Sequence, residues 1–172
     1  IYKILINLDY NFSNNKIKLN NIEVDNNNVR DQLLNIIGEF NKNNPNNTNK
    51  SRRIINEMLN KLPHDVWNNP DLKWLDPANG MGNFMIIIYF RLFEGLKNIM
   101  INDELRKKHI LENMIYMSEI NKKNCFITKQ IFDINNNYKL NIYNGDSLEL
   151  NTVQLWNVET FDIVVGNPPY QE

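Results

Sequence analysis

The stretch Asp76-Pro77-Ala78-Asn79-Gly80-Met81-Gly82-Asn83-Phe84 decides the fold of this chain. The apolar run before it, residues 72–75, predicts a β-strand, and the apolar run after it, residues 84–93, predicts a buried helix. A strand, a glycine turn and a helix in this order open the nucleotide site of doubly wound α/β folds. Glycine allows positive φ angles and a close approach of the backbone to a ligand. A purely structural turn explains a lone Gly-x-Gly equally well, so the rest of the chain must decide.

A second informative stretch is Phe161-Asp162-Ile163-Val164-Val165-Gly166-Asn167-Pro168-Pro169-Tyr170. Its β-branched residues predict another strand, which ends in a rigid segment with two prolines. Together, Asp-Pro-Ala-x-Gly-x-Gly-x-Phe at 76–84 and Asn-Pro-Pro-Tyr at 167–170 resemble the motifs of S-adenosylmethionine-dependent DNA adenine-N6 methyltransferases. These are the modification enzymes of restriction systems. The resemblance covers residues 48–172, and the order of its motifs is similar to the gamma type of that family.

The resemblance implies S-adenosyl-L-methionine as the cofactor and DNA as the partner. It assigns catalysis to Asn167, Pro168, Pro169 and Tyr170. The residues that it places around the cofactor are Thr48, Asp76, Pro77, Ala78, Gly80, Gly82, Phe84, Glu119, Ile120, Asp146, Ser147, Leu148 and Asn167. The sequence departs from the family at Thr48, because Asn49 stands where the family has proline, and an ordinary loop is the alternative there.

Two acidic residues follow predicted strands, and each has both a functional and a structural interpretation. Glu119 closes the run 114–118, and an acid at such a strand end accepts hydrogen bonds from both ribose hydroxyls in dinucleotide-binding folds. The alternative is an ion pair between Glu119 and a lysine of the next segment. Asp146 follows the run 138–143 in an Asn-Gly-Asp segment, which is also a common turn. The resemblance implies that its carboxylate accepts a hydrogen bond from the adenine amino group of the cofactor.

The Asn-Pro-Pro-Tyr segment suits chemistry on an adenine amine, which is a poor nucleophile because its lone pair is delocalised into the ring. The side-chain oxygen of Asn167 and the carbonyl of Pro168 are acceptors for its two hydrogens. The prolines fix φ and hold that carbonyl in place. Tyr170 is placed to stack on a base that has left the duplex, which is worth ~1–3 kcal/mol. The alternative is a strand-end turn that contains two prolines.

The alternation of strands and helices predicts an α/β fold class with a doubly wound, mostly parallel sheet. The resemblance implies that it is a Rossmann-like methyltransferase sheet, truncated after the fourth core strand. The predicted strands, in the spatial order three-two-one-four, are 72–76, 114–119, 138–143 and 161–166. Right-handed crossovers through the intervening helical runs give this order. Because the family's sheet has seven strands, we expect a longer natural protein, a complementary C-terminal half or partner subunit, or an unusual pairing of the sheet edge.

The domain boundary is predicted at an Asn-rich linker. Residues 1–50 form an N-terminal helical or irregular extension, and residues 51–172 form the partial methyltransferase domain. Within the extension, residues 1–28 are compatible with two or three short strands or with a loosely packed arm, and residues 29–40 have helical spacing. A helix beginning near Ser51 is predicted to bury the stripe Ile54, Ile55, Met58, Leu59 and Leu62.

Composition restricts the classes of function. The net charge of −1 and pI of about 6.2 give no global basic field for strong nucleic-acid binding, although a local basic patch stays possible. One cysteine allows no intrachain disulfide and favours a reducing compartment, the cytoplasm. No apolar run reaches the ~20 residues of a membrane span, and His64, His109 and Cys125 have no metal-ligand spacing.

Three hypotheses remain open at this point. The first is the cofactor-binding half of a DNA adenine methyltransferase. The second is a methyltransferase that acts on RNA or on a protein glutamine, because those families share Asn-Pro-Pro-Tyr but usually lack Asp-Pro-Ala before the glycines. The third is a non-catalytic fragment or subunit of a methyltransferase complex.

Overall fold

The computed structural model describes residues 8–11, 16–19, 22–23 and 49–167 of the chain. In the N-terminal part, strands β1 (Leu8–Asn11), β2 (Lys16–Leu19) and β3 (Ile22–Glu23) pair antiparallel in that order. The strand alternative for residues 1–28 is therefore the one that the structure contains. The helix predicted over 29–40 lies outside the described residues.

A parallel sheet organises the rest of the described chain. Its strands are β4 (Trp74–Asp76), β5 (Ile115–Glu119), β6 (Asn141–Asn144) and β7 (Ile163–Val164). Their spatial order is β6-β5-β4-β7, and all three pairs are parallel. This confirms the predicted order and the α/β fold class. All four strands therefore end at the same edge of the sheet, which is where ligands bind in open α/β folds.

Each strand is shorter than the range that was predicted for it. The clearest case is 138–140, which precedes β6 instead of belonging to it. The carboxylate of Asp133 accepts hydrogen bonds from the amides of Asn137 and Tyr138, so these residues form a turn instead of a strand ladder. β7 keeps only two of the predicted residues, although Val165 still donates to the Leu75 carbonyl at 2.9 Å.

Helices and short helical turns connect the strands. They are α1 (Asn49–Leu59), the 3-10 turn His64–Trp67, α2 (Asn83–Gly95), α3 (Asp103–His109) with a π turn at Ile110–Met114, α4 (Lys122–Phe132), the 3-10 turn Ser147–Glu149, and α5 (Thr152–Trp156). The helix predicted after the glycine turn is thus present, and helical residues also form part of the connection that leads to β5. His109, which showed no ligand spacing in the sequence, has a packing role, because its Nε2 lies 2.8 Å from the carbonyl oxygen of Pro70.

The hydrophobic core surrounds α2, which is apolar on nearly all sides. Its residues 84–89 are buried, and the neighbouring Trp74 of β4 stacks on Trp67 with ring centroids 4.8 Å apart. Burial of a large apolar side chain contributes roughly 1.5–3 kcal/mol, so this helix is the main anchor of the glycine turn. The turn therefore rests on a rigid element, which favours a ligand site.

The predicted stripe of α1 is only partly correct. Ile55 and Leu59 are buried, whereas Ile54 and Met58 are 44% and 49% exposed. The cause is the contact with α2, where Arg91 donates hydrogen bonds to the side chains of Asn56 and Asn60. As a result, only a narrow face of α1 packs against the hydrophobic core, and the adjacent apolar face is exposed to solvent. The helix also begins at Asn49, so Ser51 lies within it and is not its cap.

Candidate functional site

The two glycines of the turn after β4 have different surroundings. Gly80 has φ +57° and Gly82 has φ +89°, so both adopt the left-handed conformation that glycine favours. A Cβ on Gly80 would meet nothing within 4 Å, whereas a Cβ on Gly82 would lie 3.6 Å from Thr128 and 3.7 Å from Phe132 of α4. Gly80 therefore faces open space at the strand ends. Gly82 faces the protein, so its need for glycine comes from the backbone and from packing on α4.

Glu119 at the end of β5 is tied to the glycine turn. Its Oε2 accepts a hydrogen bond from the amide of Gly80 at 2.7 Å, and its Oε1 accepts from the amide of Asn121 at 2.8 Å. Among the described residues no ion pair joins Glu119 to Lys122 or Lys123, so the ion-pair alternative is not what the structure contains. Because each carboxylate oxygen has two lone pairs, acceptor capacity remains on both.

Asp76 at the end of β4 is almost fully buried, with 1% of its surface exposed. Burial raises its pKa from 3.8 to about 7; the hydrogen bond from the Ala78 amide lowers the pKa, and the nearby charge of Glu119 raises it. A buried carboxyl with a displaced pKa at the ligand-binding edge of a sheet is typical of functional sites. The arrangement favours a bound cation, which would stabilise the ionised carboxylate.

The loop after β7 lies against Asp76. A Cβ on Gly166 would lie 3.0 Å from Oδ1 of Asp76 and 3.5 Å from Cδ of Pro77, so only glycine fits without displacing these atoms. The next residue, Asn167, is exposed. Because β4 and β7 are neighbours, the structure brings Asp76 and Asn167 to the same edge of the sheet, as the functional interpretation requires.

The segment after β6 completes this edge. Asp146 is exposed, and its Oδ1 accepts a hydrogen bond from the amide of Leu148 at 2.9 Å, so the predicted turn is present and the other carboxylate oxygen lies free of that bond. Leu148 is 94% exposed, and Ile120, just after β5, is 71% exposed. Two large apolar side chains at the ends of neighbouring strands are suited to the faces of a planar ring.

The other predicted site residues are placed as follows. Pro77 and Ala78 are partly buried in the turn, and Ser147 bonds to the Pro77 carbonyl. The side chain of Phe84 is buried in the hydrophobic core, which gives it a packing role. Thr48, Pro168, Pro169 and Tyr170 lie outside the described residues.

Sequence reasoning missed three positions that connect the site. Gly166 is one, and Ser118, whose hydroxyl lies 2.7 Å from that of Ser147, is another. The third is Asn79, whose side chain donates to Oγ1 of Thr128 at 3.0 Å and fastens the turn to α4. Asn79 does not have a positive φ angle, since the described non-glycine residues with positive φ are Asn136 and Asn157. The small residue before the Asn-Pro-Pro-Tyr segment was the one available signal, at Gly166.

Neither a metal centre nor a membrane span is found within the described ranges. No group of three or more His, Cys, Asp or Glu side chains there is arranged to hold a metal ion. No described helix has both the length and the apolar character that crossing a bilayer requires.

The sequence model of a family described as N-6 DNA Methylase matches residues 38–172. The chain belongs to this family. The match includes the glycine turn, Glu119, Asp146 and Asn167, and it confirms the resemblance inferred from the two motifs. In this N-6 DNA methylase family member, the candidate site lies at the strand ends of the parallel sheet described above.

Two individual proteins are similar to this N-6 DNA methylase chain. Over 71 residues it is 39% identical to a Mycoplasma pneumoniae protein named "Uncharacterized adenine-specific methylase", which amounts to 41% of this chain and 17% of that protein. The crystal structure of a modification subunit of a putative type I restriction enzyme from Vibrio vulnificus YJ016 superposes with a TM-score of 0.49 at 17% identity. That match covers 83% of this chain and 28% of the subunit, so the chain spans a minor part of each protein.

Proposed function

We propose that this chain forms the cofactor-binding part of a DNA adenine-N6 methyltransferase of a restriction-modification system, with S-adenosyl-L-methionine bound at the carboxyl ends of β4, β5 and β6. The observation on which the proposal rests is the open space in front of Gly80, whose amide is bonded to Glu119. Membership of the N-6 DNA methylase family supports the reaction class, and the Mycoplasma pneumoniae relative is named as adenine-specific.

The groups around this space fit the chemistry of the cofactor. Glu119 retains lone pairs for the two ribose hydroxyls, and Asp146 has a carboxylate oxygen for the adenine amino group. Ile120 and Leu148 offer exposed apolar side chains for the two faces of the adenine ring. Asp76 offers a buried carboxyl to a positively charged ligand. The remaining proposed contacts are Thr48, Pro77, Ala78 and Asn167. Gly82, Phe84 and Ser147, which the resemblance also places around the cofactor, support the site through packing and through the bond of Ser147 to Pro77.

The proposed mechanism uses Asn167 and the residues that follow it. The bound cofactor supplies an electrophilic methyl group on a sulfonium centre. The Asn167 side-chain oxygen and the Pro168 carbonyl accept hydrogen bonds from the adenine amine, which favours a tetrahedral nitrogen with an available lone pair. Tyr170 stacks on the base, which offsets part of the few kcal/mol that base flipping costs. Orientation and preorganised dipoles then supply most of the rate.

Replacing Glu119 tests the cofactor half of the proposal. We expect Glu119→Ala to weaken S-adenosyl-L-methionine binding by ~1–3 kcal/mol, because a charged hydrogen-bond acceptor is lost and the Gly80 amide loses its partner. Isothermal calorimetry on the folded variant measures the change. Glu94→Ala is the control, since Glu94 is exposed near the far end of α2. Equal affinities of the Glu119→Ala variant and the wild type would contradict the assignment of Glu119.

Methyl-transfer assays test the substrate half. A longer protein that contains this chain should transfer labelled methyl from S-adenosyl-L-methionine to adenine in DNA. The same protein should leave RNA and protein glutamine unlabelled, because Asp-Pro-Ala precedes the glycines here. Labelling of RNA or of protein in the absence of DNA labelling would favour the alternative methyltransferase class. The absence of transfer to all three, with normal cofactor binding, would favour a non-catalytic subunit.

A further inference from the structure

Two hydrogen bonds cross three neighbouring strand ends of the site. Ser118 lies in β5 with no exposed surface, and its Oγ is 2.7 Å from Oγ of Ser147, which begins the turn after β6. Ser147 in turn donates to the carbonyl of Pro77, just after β4. We call this series of two hydrogen bonds, from Ser118 through Ser147 to Pro77, the hydroxyl strut.

The direction of each bond in the hydroxyl strut follows from counting protons. A carbonyl oxygen only accepts, so the one proton of the Ser147 hydroxyl goes to Pro77. Ser147 must therefore accept from Ser118, whose own proton it receives. The donor and the acceptor of each bond are therefore fixed, and the strut restricts each serine side chain to one rotamer.

The hydroxyl strut lies beside the residues proposed to hold the adenosine. Ser147 is adjacent to Asp146 and Leu148, and Ser118 is followed by Glu119 and Ile120. Backbone bonds link the same segments, since the Asn79 amide donates to the Ser118 carbonyl at 3.0 Å and the Gly145 amide donates to the Glu119 carbonyl at 3.2 Å. The strut is a side-chain link that joins the segment after β6 directly to the turn after β4.

We propose that the hydroxyl strut positions Asp146 and Leu148 against Glu119 and Ile120, so that it sets the affinity of the site for the adenosine half of the cofactor. Ser147 is then a positioning residue rather than a direct cofactor contact. The inference rests on the proposed cofactor site. It predicts that removing the strut weakens every adenosine-containing ligand by the same factor, whatever group is attached to the ribose.

The test compares two ligands on the 172-residue chain, S-adenosylhomocysteine and methylthioadenosine, which share the adenosine and differ in the amino-acid part. We expect Ser147→Ala to weaken both by about tenfold, the value of one net hydrogen bond with its neighbour left unpaired, and to leave the ratio of the two Kd values unchanged. Ser118→Ala should have a smaller effect on both. The double variant should match Ser147→Ala, because Ser118 acts through Ser147.

Conservative and distant substitutions separate positioning from general destabilisation. Ser147→Thr keeps the hydroxyl and should restore both affinities to within about threefold of the wild type. Thr160→Ala removes an exposed hydroxyl and should leave both unchanged. Should Ser147→Ala not fold, Ser118→Ala gives the same comparison of the two ligands. Wild-type affinity of a folded Ser147→Ala variant, or a loss confined to S-adenosylhomocysteine, would overturn the inference. Failure of the wild type to bind either ligand would instead overturn the proposed function.

Discussion

Asp76→Asn is expected to stabilise the cofactor-free protein at about pH 8 and, in the same variant, to weaken cofactor binding. Burial raises the pKa of Asp76 from 3.8 to about 7, so at alkaline pH the folded protein must contain a buried charge. Asparagine has the same shape and retains an oxygen for the Ala78 amide, which donates to Asp76 at 3.0 Å. The substitution thus removes the charge with little change in packing.

The direction of the expected change in stability follows from how the free energy of unfolding depends on pH. Between pH 3.8 and about 7 the folded protein holds the Asp76 proton while the unfolded chain releases it. The free energy of unfolding of the wild type should therefore fall as the pH rises through this interval, by up to roughly 4 kcal/mol. Urea unfolding at about pH 4 and about pH 8 measures the fall, which Asp76→Asn should largely remove. Asp71→Asn, at an exposed residue, is the control, and an unchanged pH dependence in Asp76→Asn would contradict the role of burial.

Binding should move in the opposite direction from stability. S-adenosyl-L-methionine has a positive sulfonium and a positive ammonium group, which favour the ionised form of Asp76 and disfavour a neutral amide. We expect Asp76→Asn to lose more than about tenfold in affinity at about pH 8, and wild-type binding to weaken as the pH falls below about 7. Calorimetry at both pH values measures this. A variant that is more stable and binds equally well would assign Asp76 to structure alone.

Asn167→Ala has the second large expected effect. In a longer protein that contains this chain and methylates DNA, the variant should lose about 10²–10³-fold in turnover, the typical cost of removing one preorganised group that acts on the reacting atoms. Cofactor affinity should change little, because Asn167 is one of several proposed cofactor contacts and Asp76, Gly80 and Glu119 are untouched. Labelled methyl transfer to DNA measures the first quantity, and calorimetry measures the second.

Two comparisons make the Asn167 prediction specific. The 172-residue chain alone should transfer little methyl, since its net charge of −1 provides no general electrostatic attraction to duplex DNA. Addition of the C-terminal half of a longer protein should restore transfer. Asn98→Ala, at an exposed asparagine between α2 and α3, should be silent. Full turnover with Asn167→Ala would contradict the proposed catalytic arrangement, whereas robust transfer by the short chain would contradict the proposed need for a C-terminal half.

The order of the parallel strands was predictable because right-handed crossovers leave few topologies once four apolar runs alternate with helices. The glycine turn was predictable because two glycines between an apolar strand and an apolar helix favour the positive φ angles that both of them adopt. Strand lengths were not predictable, since the turn at 137–138 depends on the carboxylate of Asp133, a contact that no periodicity reveals. Burial on α1 was also mispredicted, because hydrogen bonds from Arg91 decide which side faces inward.

The hydrogen bonds and contacts that connect the candidate site could not be predicted from the sequence, for a related reason. A buried serine hydroxyl in β5 looks like any other small strand residue until its partner after β6 is placed beside it. The closeness of Gly166 to Asp76 likewise depends on the pairing of β7 with β4, residues that are about ninety positions apart. Motifs therefore predicted the separate segments of the candidate site, whereas tertiary contacts define how those segments are held together.

The most direct test of the account is calorimetric titration of S-adenosyl-L-methionine into the wild-type chain and into Gly80→Ala and Gly80→Val. The wild type should bind one equivalent. The affinity should fall with Gly80→Ala and vanish with Gly80→Val, because the added side chain occupies the open space that the ligand requires. Circular dichroism must show that both variants are folded, since left-handed φ costs a non-glycine residue roughly 1–2 kcal/mol. Wild-type affinity in a folded Gly80→Val variant would place the cofactor elsewhere and contradict the account.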